Sequence, residues 1–320
     1  MTSSTRRLLV HGIGAVLAAA ALSATLAVNP ASAAGVPPQA GISVPGDPTG
    51  APVVLIASLE GRNEAGPGAP AGQALELIGI QGTTLSYSVR WRGLGTPTRA
   101  DIHRGGRGVD GLVVVTLFTT PPRPTGGFAS GTVTVDPALL AEMRTDPAGF
   151  YADLHTTAFP DGAARAQLHP LSHPVATTGV AAVQQSVVVG DQIYACTPRP
   201  DGSFAFTQYG VEARLTGGIH HTFVQPVAGP PQWRAPDGSA VTGRVVTRTD
   251  NGAGNIAELD LDATQIGAST GLLAGVVEVL RLNTVGGVAP AGTCDPLATP
   301  TVNVPYRADY VFINGQPTTS

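Results

Sequence analysis

Glycine and proline interrupt this chain so often that long helices are excluded from most of it. The 320 residues include 41 glycines and 28 prolines, and the apolar segments between them are short. Apolar or alternating segments of four to eight residues, bounded by turn-forming residues, are typical of β-strands. The sequence therefore predicts an all-β protein built from many short antiparallel strands.

The strand pattern is clearest in the first half of the chain. Residues 85–92 alternate strictly, with Leu85, Tyr87, Val89 and Trp91 on one face, which is the period of a half-buried strand. Further strands are predicted at residues 53–59, 75–80, 100–103, 112–118, 129–135, 150–156 and 164–168. Many short strands close together indicate an antiparallel β-sandwich of Greek-key type.

A single helix interrupts these strands. Asp136 is a capping residue, Pro137 suits the first helical position, and the helix is expected to end near Asp146. Its apolar stripe consists of Leu139, Leu140 and Met143.

The second half is also rich in predicted strands. Residues 271–282 fit either a helix or a strand, and their valines and two glycines favour a strand. The other strands are predicted at residues 186–189, 192–196, 203–206, 211–215, 219–224, 240–249, 256–261 and 304–313.

The first 33 residues have the features of an export signal. Arg6 and Arg7 precede an apolar run over residues 8–28, and Ala31-Ser32-Ala33 fits a cleavage site after Ala33. The alternative is a retained anchor, although the run contains glycines and a histidine, and no charged residues follow it directly. We expect a secreted, extracellular protein with no membrane span after signal cleavage.

Composition divides the remaining chain into two consecutive domains. A flexible leader is predicted at residues 34–52 because it is rich in proline, glycine and alanine. The first β domain spans residues 53–168. A linker is expected at residues 169–183, where two His-Pro steps disfavour regular structure. The second β domain spans residues 184–314, and a short tail covers residues 315–320.

The net charge and the cysteine content indicate which partners and which cellular compartment this protein has. The formal charge of −4 argues against nucleic-acid binding, and the lack of lysine is typical of GC-rich bacterial genomes. Cys196 and Cys294 are the two cysteines, and in an exported protein such a pair predicts a disulfide. Two free thiols or a metal-binding pair are the alternatives.

The first domain resembles the CHRD domain, a module repeated in chordin and found singly in many bacterial exported proteins. Three segments carry the resemblance: residues 98–105 (TRADIHRG), residues 111–117 (GLVVVTL) and residues 150–168 (FYADLHTTAFPDGAARAQL). Members of the family usually have His-Ile-His where this chain has Asp101-Ile102-His103. The resemblance implies a compact β domain and does not by itself imply an activity.

The second domain resembles a bacterial and fungal family of unknown function, DUF3455. Its marks include residues 190–196 (GDQIYAC), Trp233, residues 281–290 (RLNTVGGVAP) and residues 304–310 (VPYRADY). The family pattern contains both cysteines, which supports the predicted disulfide. A Pro-Trp-Leu-Leu-like segment of the family is replaced here by residues 257–260 (AELD).

His103 and His155 are the best candidates for chemistry. Each stands near the end of a predicted strand, with Asp101 and Asp153 two residues earlier on the same face. Two histidines on neighbouring strands resemble the arrangement in copper/zinc superoxide dismutase, and imidazole and carboxylate ligands suit Zn or Cu. The alternative is structural, with each histidine fixing a strand to a glycine-rich loop.

Other candidates carry weaker signals. Arg99, Arg104, Arg107 and Arg165 could form an anion site with the glycine-rich loop. The pair His220-His221 could contribute one metal ligand, together with Asp237 or Asp191. A glycan- or peptide-binding face could be formed by Trp233, Tyr306 and Tyr310, which are equally compatible with a core role.

The sequence thus predicts a secreted, non-catalytic binding or structural module without a cofactor, acting on an unidentified extracellular protein or glycan. The alternative is a Zn- or Cu-binding protein or metalloenzyme centred on His103 and His155.

Overall fold

The computed structural model describes residues 52–121, 127–173, 182–227 and 229–315. The predicted signal peptide, almost all of the leader and the tail beyond Gly315 lie outside these residues. All described residues belong to one compact unit, Ser43–Ser320. Within these ranges, no helix is long and apolar enough to cross a membrane.

The all-β class with one short helix is confirmed. In the first domain nine strands form one sheet, in the order β5-β4-β7-β8-β1-β2-β3-β6, with β9 pairing on β1. The elements are β1 (Val53–Glu60), β2 (Gln73–Gln81), β3 (Thr84–Arg92), β4 (Pro97–Arg104), β5 (Val113–Phe118), β6 (Phe128–Thr134), α1 (Pro137–Thr145), β7 (Phe150–Thr156), β8 (Ala164–Gln167) and β9 (His169–Pro170).

Helix α1 begins where the sequence predicts. The Asp136 side chain accepts a hydrogen bond from the Ala138 backbone N–H at 2.7 Å, and Pro137 follows the cap. Leu140 and Met143 are buried against the sheet core. The amphipathic stripe therefore fixes the helix on the apolar face of the sheet.

The sheet has an apolar face and a mixed face. Alternate residues such as Ala100, Ile102, Ala152 and Leu154 lie in the main core of the first domain. Asp101 and its neighbours at odd positions of β4 point to the opposite face, because successive side chains of a strand alternate. The candidate ligands are thus presented on the face away from this core.

The second domain is a closed barrel of eight strands, each paired with its neighbours in sequence, and β10 closes on β17. This up-and-down order is simpler than a Greek key. The strands are β10 (Ala182–Pro198), β11 (Phe204–Leu215), β12 (His220–Phe223), β13 (Pro231–Arg234), β14 (Ala240–Thr249), β15 (Glu258–Gln265), β16 (Val276–Gly286) and β17 (Thr301–Asn314). Residues 271–282, whose sequence fits either a helix or a strand, lead into and partly form strand β16.

The predicted disulfide is present between Cys196 and Cys294. It joins the end of β10 to the connection between β16 and β17, across a sequence separation of 98 residues. In the chain-entropy account a loop of this size stabilises a fold by roughly 4–5 kcal/mol. No free cysteine is left in the described chain.

The two domains share buried surface. Val54, Ile56, Leu75 and Leu77 on the mixed face of β1 and β2 pack with a group from β16 and β17. That group consists of Leu280, Leu282, Val311 and Ile313. His169 and Pro170, in the stretch expected to be a linker, pair with β1 at Ile56 and Leu55. The first domain therefore continues through β9.

Candidate metal centre

The pairing of β4 with β7 brings the four predicted ligands onto one face. Asp101 is directly opposite Asp153, and Arg99 is opposite His155 in the same antiparallel register. His103 lies two residues beyond Asp101. Directly paired residues project to the same side of a sheet, so the carboxylates and imidazoles converge.

The distances between the polar atoms are short. His155 Nε2 lies 3.2 Å from Asp101 Oδ2 and 3.9 Å from Asp153 Oδ1. His103 Nε2 lies 3.9 Å from Asp153 Oδ2. One ligand atom each from Asp101, His103 and His155 lies within 4.8 Å of the others. All four residues are buried.

Both imidazoles are oriented by backbone carbonyls. His103 Nδ1–H donates to Gly111 O at 3.0 Å, and His155 Nδ1–H donates to Pro160 O at 3.0 Å. A carbonyl can only accept, so Nδ1 carries the proton in both rings. Each Nε2 therefore faces the carboxylates. Metal-binding histidines are commonly held in this way.

The loop between β4 and β5 packs on the site, and Gly111 is required in it. A Cβ at Gly111 would lie 1.5 Å from the Arg104 carbonyl oxygen. The Gly111 N–H also donates to the Tyr151 hydroxyl at 3.0 Å, and the Tyr151 ring stacks on His103 at 4.7 Å. The glycine-rich loop therefore fixes His103 from both its edge and its face.

Two buried polar atoms of the site, His103 Nε2 and Asp153 Oδ1, have no hydrogen-bond partner among the described residues. Asp101 Oδ2, by contrast, has the Arg99 guanidinium 2.5 Å away. Buried polar atoms are nearly always satisfied, and a set of exceptions at one point calls for an explanation. A cation bound between them is one.

Two arginines neighbour the site. Arg99 Nε lies 2.5 Å from Asp101 Oδ2, and its Nη2 donates to His155 Nε2 at 3.3 Å. The Arg99 side chain is 43% exposed, so it reaches the site from solvent. Arg165 pairs with Asp110 and lies over the Tyr151 ring.

The pKa shifts follow from burial and crowding of carboxylates. Burial, with the neighbouring Glu64 carboxylate, raises the pKa of Asp153 to about 9. Burial also raises the pKa of Glu64 to about 7, against the effect of Arg165. At Asp101 burial acts upward, but hydrogen bonds with His155 and Thr116 outweigh it, and the pKa lies below its ordinary value. Burial lowers the pKa of His103, which favours the neutral imidazole.

A cavity of about 400 Å³ opens beside the centre. It is lined by Glu64 and Asp110, and by the segment around Pro160 whose carbonyl holds His155. Glu64 could not be predicted from the sequence, because it lies in a loop far from the histidine motifs. From the sequence, Arg99 could be recognised only as a positive charge near Asp101, and its pairing with that carboxylate could not be predicted.

The other predicted sites are dispersed. Each of the four arginines of the anion hypothesis is paired with its own carboxylate, namely Asp101, Glu142, Glu258 and Asp110. They therefore form no shared anion site.

The second histidine pair is also separated, as its alternation predicts. His220 pairs with Glu212 at the surface, and His221 donates to Gln232 O in the interior. Asp237 accepts hydrogen bonds from Ser239 and Leu272. Within the described ranges, these residues and Asp191 belong to no group with metal-ligand spacing.

The aromatic trio is not at the surface. Trp233, Tyr306 and Tyr310 are buried in the core of the barrel. The Trp233 and Tyr310 ring centroids are 5.4 Å apart, and the Tyr306 and Tyr310 hydroxyls are 3.2 Å apart. They cannot form an exposed face for a glycan or peptide.

Comparison with protein families agrees with both resemblances. Residues 55–168 match the CHRD domain. Residues 217–314 match the family described as protein of unknown function (DUF3455). Searches against curated proteins and against solved structures returned no match. The candidate centre thus lies within the residues that match the CHRD domain, and the barrel contains the residues that match DUF3455.

Proposed function

We propose that this protein is exported and that its CHRD domain binds one divalent transition-metal ion, Zn²⁺ or Cu²⁺, through Asp101, His103 and His155. Asp153 completes the donor set as a fourth ligand or as a partner of the two imidazoles. The disulfide is consistent with an oxidising, extracellular setting.

The observation that carries the proposal is the contact between His155 Nε2 and Asp101 Oδ2 at 3.2 Å. Because Nδ1–H of His155 is already donated to Pro160 O, a neutral ring places a lone pair of Nε2 opposite a carboxylate lone pair. A positive particle between them removes the repulsion. The Arg99 guanidinium supplies such a group here, through Nε beside Asp101 Oδ2 and Nη2 beside His155 Nε2, and a metal ion bound between the two atoms would take its place.

The donor set also has suitable chemistry and spacing. Imidazole and carboxylate ligands suit Zn²⁺ and Cu²⁺. Bonds of about 2.0–2.1 Å put the ligand atoms of a tetrahedral ion about 3.3 Å apart. The separations of 3.2 Å between His155 and Asp101 and 3.9 Å between His103 and Asp153 are near that value. The ligand atoms of Asp101, His103 and His155, which lie within 4.8 Å of one another, would have to draw together around the ion.

The second candidate is a non-catalytic binding or structural module in which these histidines only fix loops. The hydrogen bonds of His103 to Gly111 O and of His155 to Pro160 O favour it. The two candidates differ in one measurable property, because only the first needs a metal.

The test is metal binding by tag-free protein stripped with a chelator. Isothermal titration with Zn²⁺ and with Cu²⁺ is expected to give one site per chain, weakened at least 100-fold in His103→Ala and Asp101→Asn. His220→Ala is the matched control, since His220 is a surface histidine of the other domain, and it should bind as wild type does. Circular dichroism establishes that each variant is folded. If the folded wild-type chain binds neither metal stoichiometrically, the metal-binding proposal is wrong and the non-catalytic binding or structural module remains.

A further inference from the structure

The barrel of the second domain contains a cavity of about 410 Å³. Every one of its eight strands contributes at least one lining residue, so the cavity is the lumen of the barrel and not a groove between loops. Eight-stranded barrels are just wide enough to enclose one small ligand. Small-molecule sites have volumes of roughly 300–1,000 Å³, and this lumen falls within that range.

The floor of the cavity is apolar and aromatic. Trp233, Tyr310 and Leu261 line it and are buried. Gln208, Arg248 and Val288 line it and are exposed, so the lumen opens to solvent on their side. A ligand would enter past this rim and place its apolar part against Trp233.

Two buried donors in the lumen lack a partner among the described residues. They are Trp233 Nε1 and Gln192 Nε2, and both residues are almost completely buried. An indole N–H can only donate. Leaving a buried donor unpaired is costly, so a ligand that supplies an acceptor to Gln192 Nε2 would be favoured here.

The charge of the lumen has one sign. Arg248 and Arg281 line it, and no aspartate or glutamate does. Two nitrogens of Arg281 donate to Ala257 O. Neither arginine forms an ion pair within the described chain. A monoanionic acceptor group fits this environment better than a cation or an uncharged hydrocarbon.

We propose that the barrel lumen binds an amphiphilic monocarboxylate, with its apolar body on the Trp233 floor and its carboxylate at Arg281 and Gln192. This site is separate from the candidate metal centre and does not depend on it. Each can therefore fail without the other.

Trp233 itself reports on binding. The chain has two tryptophans, and Trp91→Phe leaves Trp233 as the only indole fluorophore. Titration of this variant with dodecanoate at pH 7.5, below its micellar concentration, is expected to change the emission saturably. Dodecanol, which lacks the charge, should bind at least tenfold more weakly.

Variants of the lumen separate specific binding from adsorption. In the Trp91→Phe background, Arg281→Gln should weaken the binding of dodecanoate at least tenfold and change the affinity for dodecanol by no more than about twofold. Ala289→Trp, at a half-buried lining position near the rim, should block both. Arg244→Gln is the control, because Arg244 is exposed, pairs with Asp262 and does not line the cavity. The proposal is overturned by an emission that never saturates, by equal effects of Arg281→Gln and Arg244→Gln, or by unchanged binding in folded Ala289→Trp.

Discussion

At the scale of single residues, the candidate metal centre depends on how two side chains are oriented. His155 and Asp101 face each other with their acceptor atoms 3.2 Å apart, and the other ring nitrogen of His155 is already committed to Pro160 O. Arg99 donates to the same Nε2 atom and lies against the same carboxylate oxygen. Arg99 is thus the group in the chain that most directly competes with a metal cation.

Replacing Arg99 by glutamine should therefore strengthen metal binding. Removing a guanidinium from beside two ligand atoms removes both a competing hydrogen-bond donor and a like charge, and we expect Zn²⁺ affinity to rise about tenfold, which is about 1.4 kcal/mol. Arg104→Gln is the control on the same strand, since Arg104 pairs with Glu142 outside the centre. Competition titration against a chromophoric chelator measures the change. Weaker binding in Arg99→Gln would mean that Arg99 orders the ligands.

Glu76 is a buried acid without a hydrogen-bond partner in the described chain. Burial, with a smaller effect from Asp101, raises its pKa to about 8. The folded chain then keeps a proton that the unfolded chain releases above its ordinary pKa of 4.5. The contribution of Glu76 to stability should fall as pH rises from about 5 to about 8 and become constant above that, with a slope of at most about 1.4 kcal/mol per pH unit.

Glu76→Gln should remove this part of the pH dependence. Urea unfolding of the variant and of wild type at pH 5 to 9 isolates the contribution of Glu76 to stability, because the other carboxyl groups with raised pKa values are present in both chains. Glu212→Gln, at an exposed position, should retain the wild-type slope. Parallel curves for wild type and Glu76→Gln would show that Glu76 is ionised in the fold.

At the scale of elements, the candidate ligands belong to a polar row that crosses the first sheet. Seven directly paired residues on seven strands form it, in the order Thr116, Asp101, Asp153, Arg165, Glu60, Gln73 and Arg92. The far end of the row contacts the barrel, where Gln73 donates to Ser186 Oγ at 2.7 Å and Arg92 to Gln184 O at 3.3 Å. The same strand register therefore positions both the candidate centre and part of the domain contact.

The β4–β5 loop supplies a matched pair of glycine variants. Gly111→Ala places a Cβ against the Arg104 carbonyl, so the loop must shift and the anchor of His103 is lost. We expect metal affinity to fall at least tenfold, together with a loss of stability. Gly106→Ala, with nothing within 4 Å of the added Cβ, should leave both near wild type. Identical affinities in the two variants would contradict a loop-held His103.

The sequence predicted the elements well where alternation is strict, as in β3, and where a cap marks a helix, as at Asp136. It split β10 and β11 into two strands each, because glycines and polar residues lie at irregularities in these long strands. It missed β13, which begins at Pro231. Barrel closure was not predictable, because it depends on pairing between strands and not on the pattern within one.

The candidate centre was partly predictable, because residues two apart on a strand share a face. Spacing by two residues placed Asp101 with His103 and Asp153 with His155, and adjacency of the two strands was the remaining assumption. Glu64, Arg99 and the carbonyls that orient the rings depend on loops, whose positions carry no periodic signal. The aromatic residues of the second domain were visible, but only the structure shows that they line a lumen.

At the scale of the whole molecule, the two domains are joined through a buried polar cluster beside their shared apolar contact. Asp309 accepts hydrogen bonds from Ser58, Ser186 and Asn283. Asn283 also donates to Ser58 O at 2.7 Å and adopts a positive φ of 52°. A buried carboxylate with several donors from both domains makes separation of the domains costly.

Asn283→Ala should destabilise both domains together. It removes hydrogen bonds to a charged group and to a buried carbonyl, at a cost of at least about 2 kcal/mol, and alanine is strained at positive φ. Wild type and variant are expected to unfold in one urea transition, with a lower midpoint in the variant. Asn303→Ala, at an exposed position of β17, is the control. Two separate transitions in wild type would show that the domains are not energetically coupled.

The most direct test of the metal centre is zinc K-edge X-ray absorption on the stoichiometrically loaded protein. We expect a first shell of nitrogen and oxygen atoms at about 2.0–2.1 Å from the zinc, with outer-shell scattering from two imidazoles in wild type and from one in His103→Ala. Sulfur scattering at about 2.3 Å, or a spectrum unchanged by His103→Ala, would contradict it.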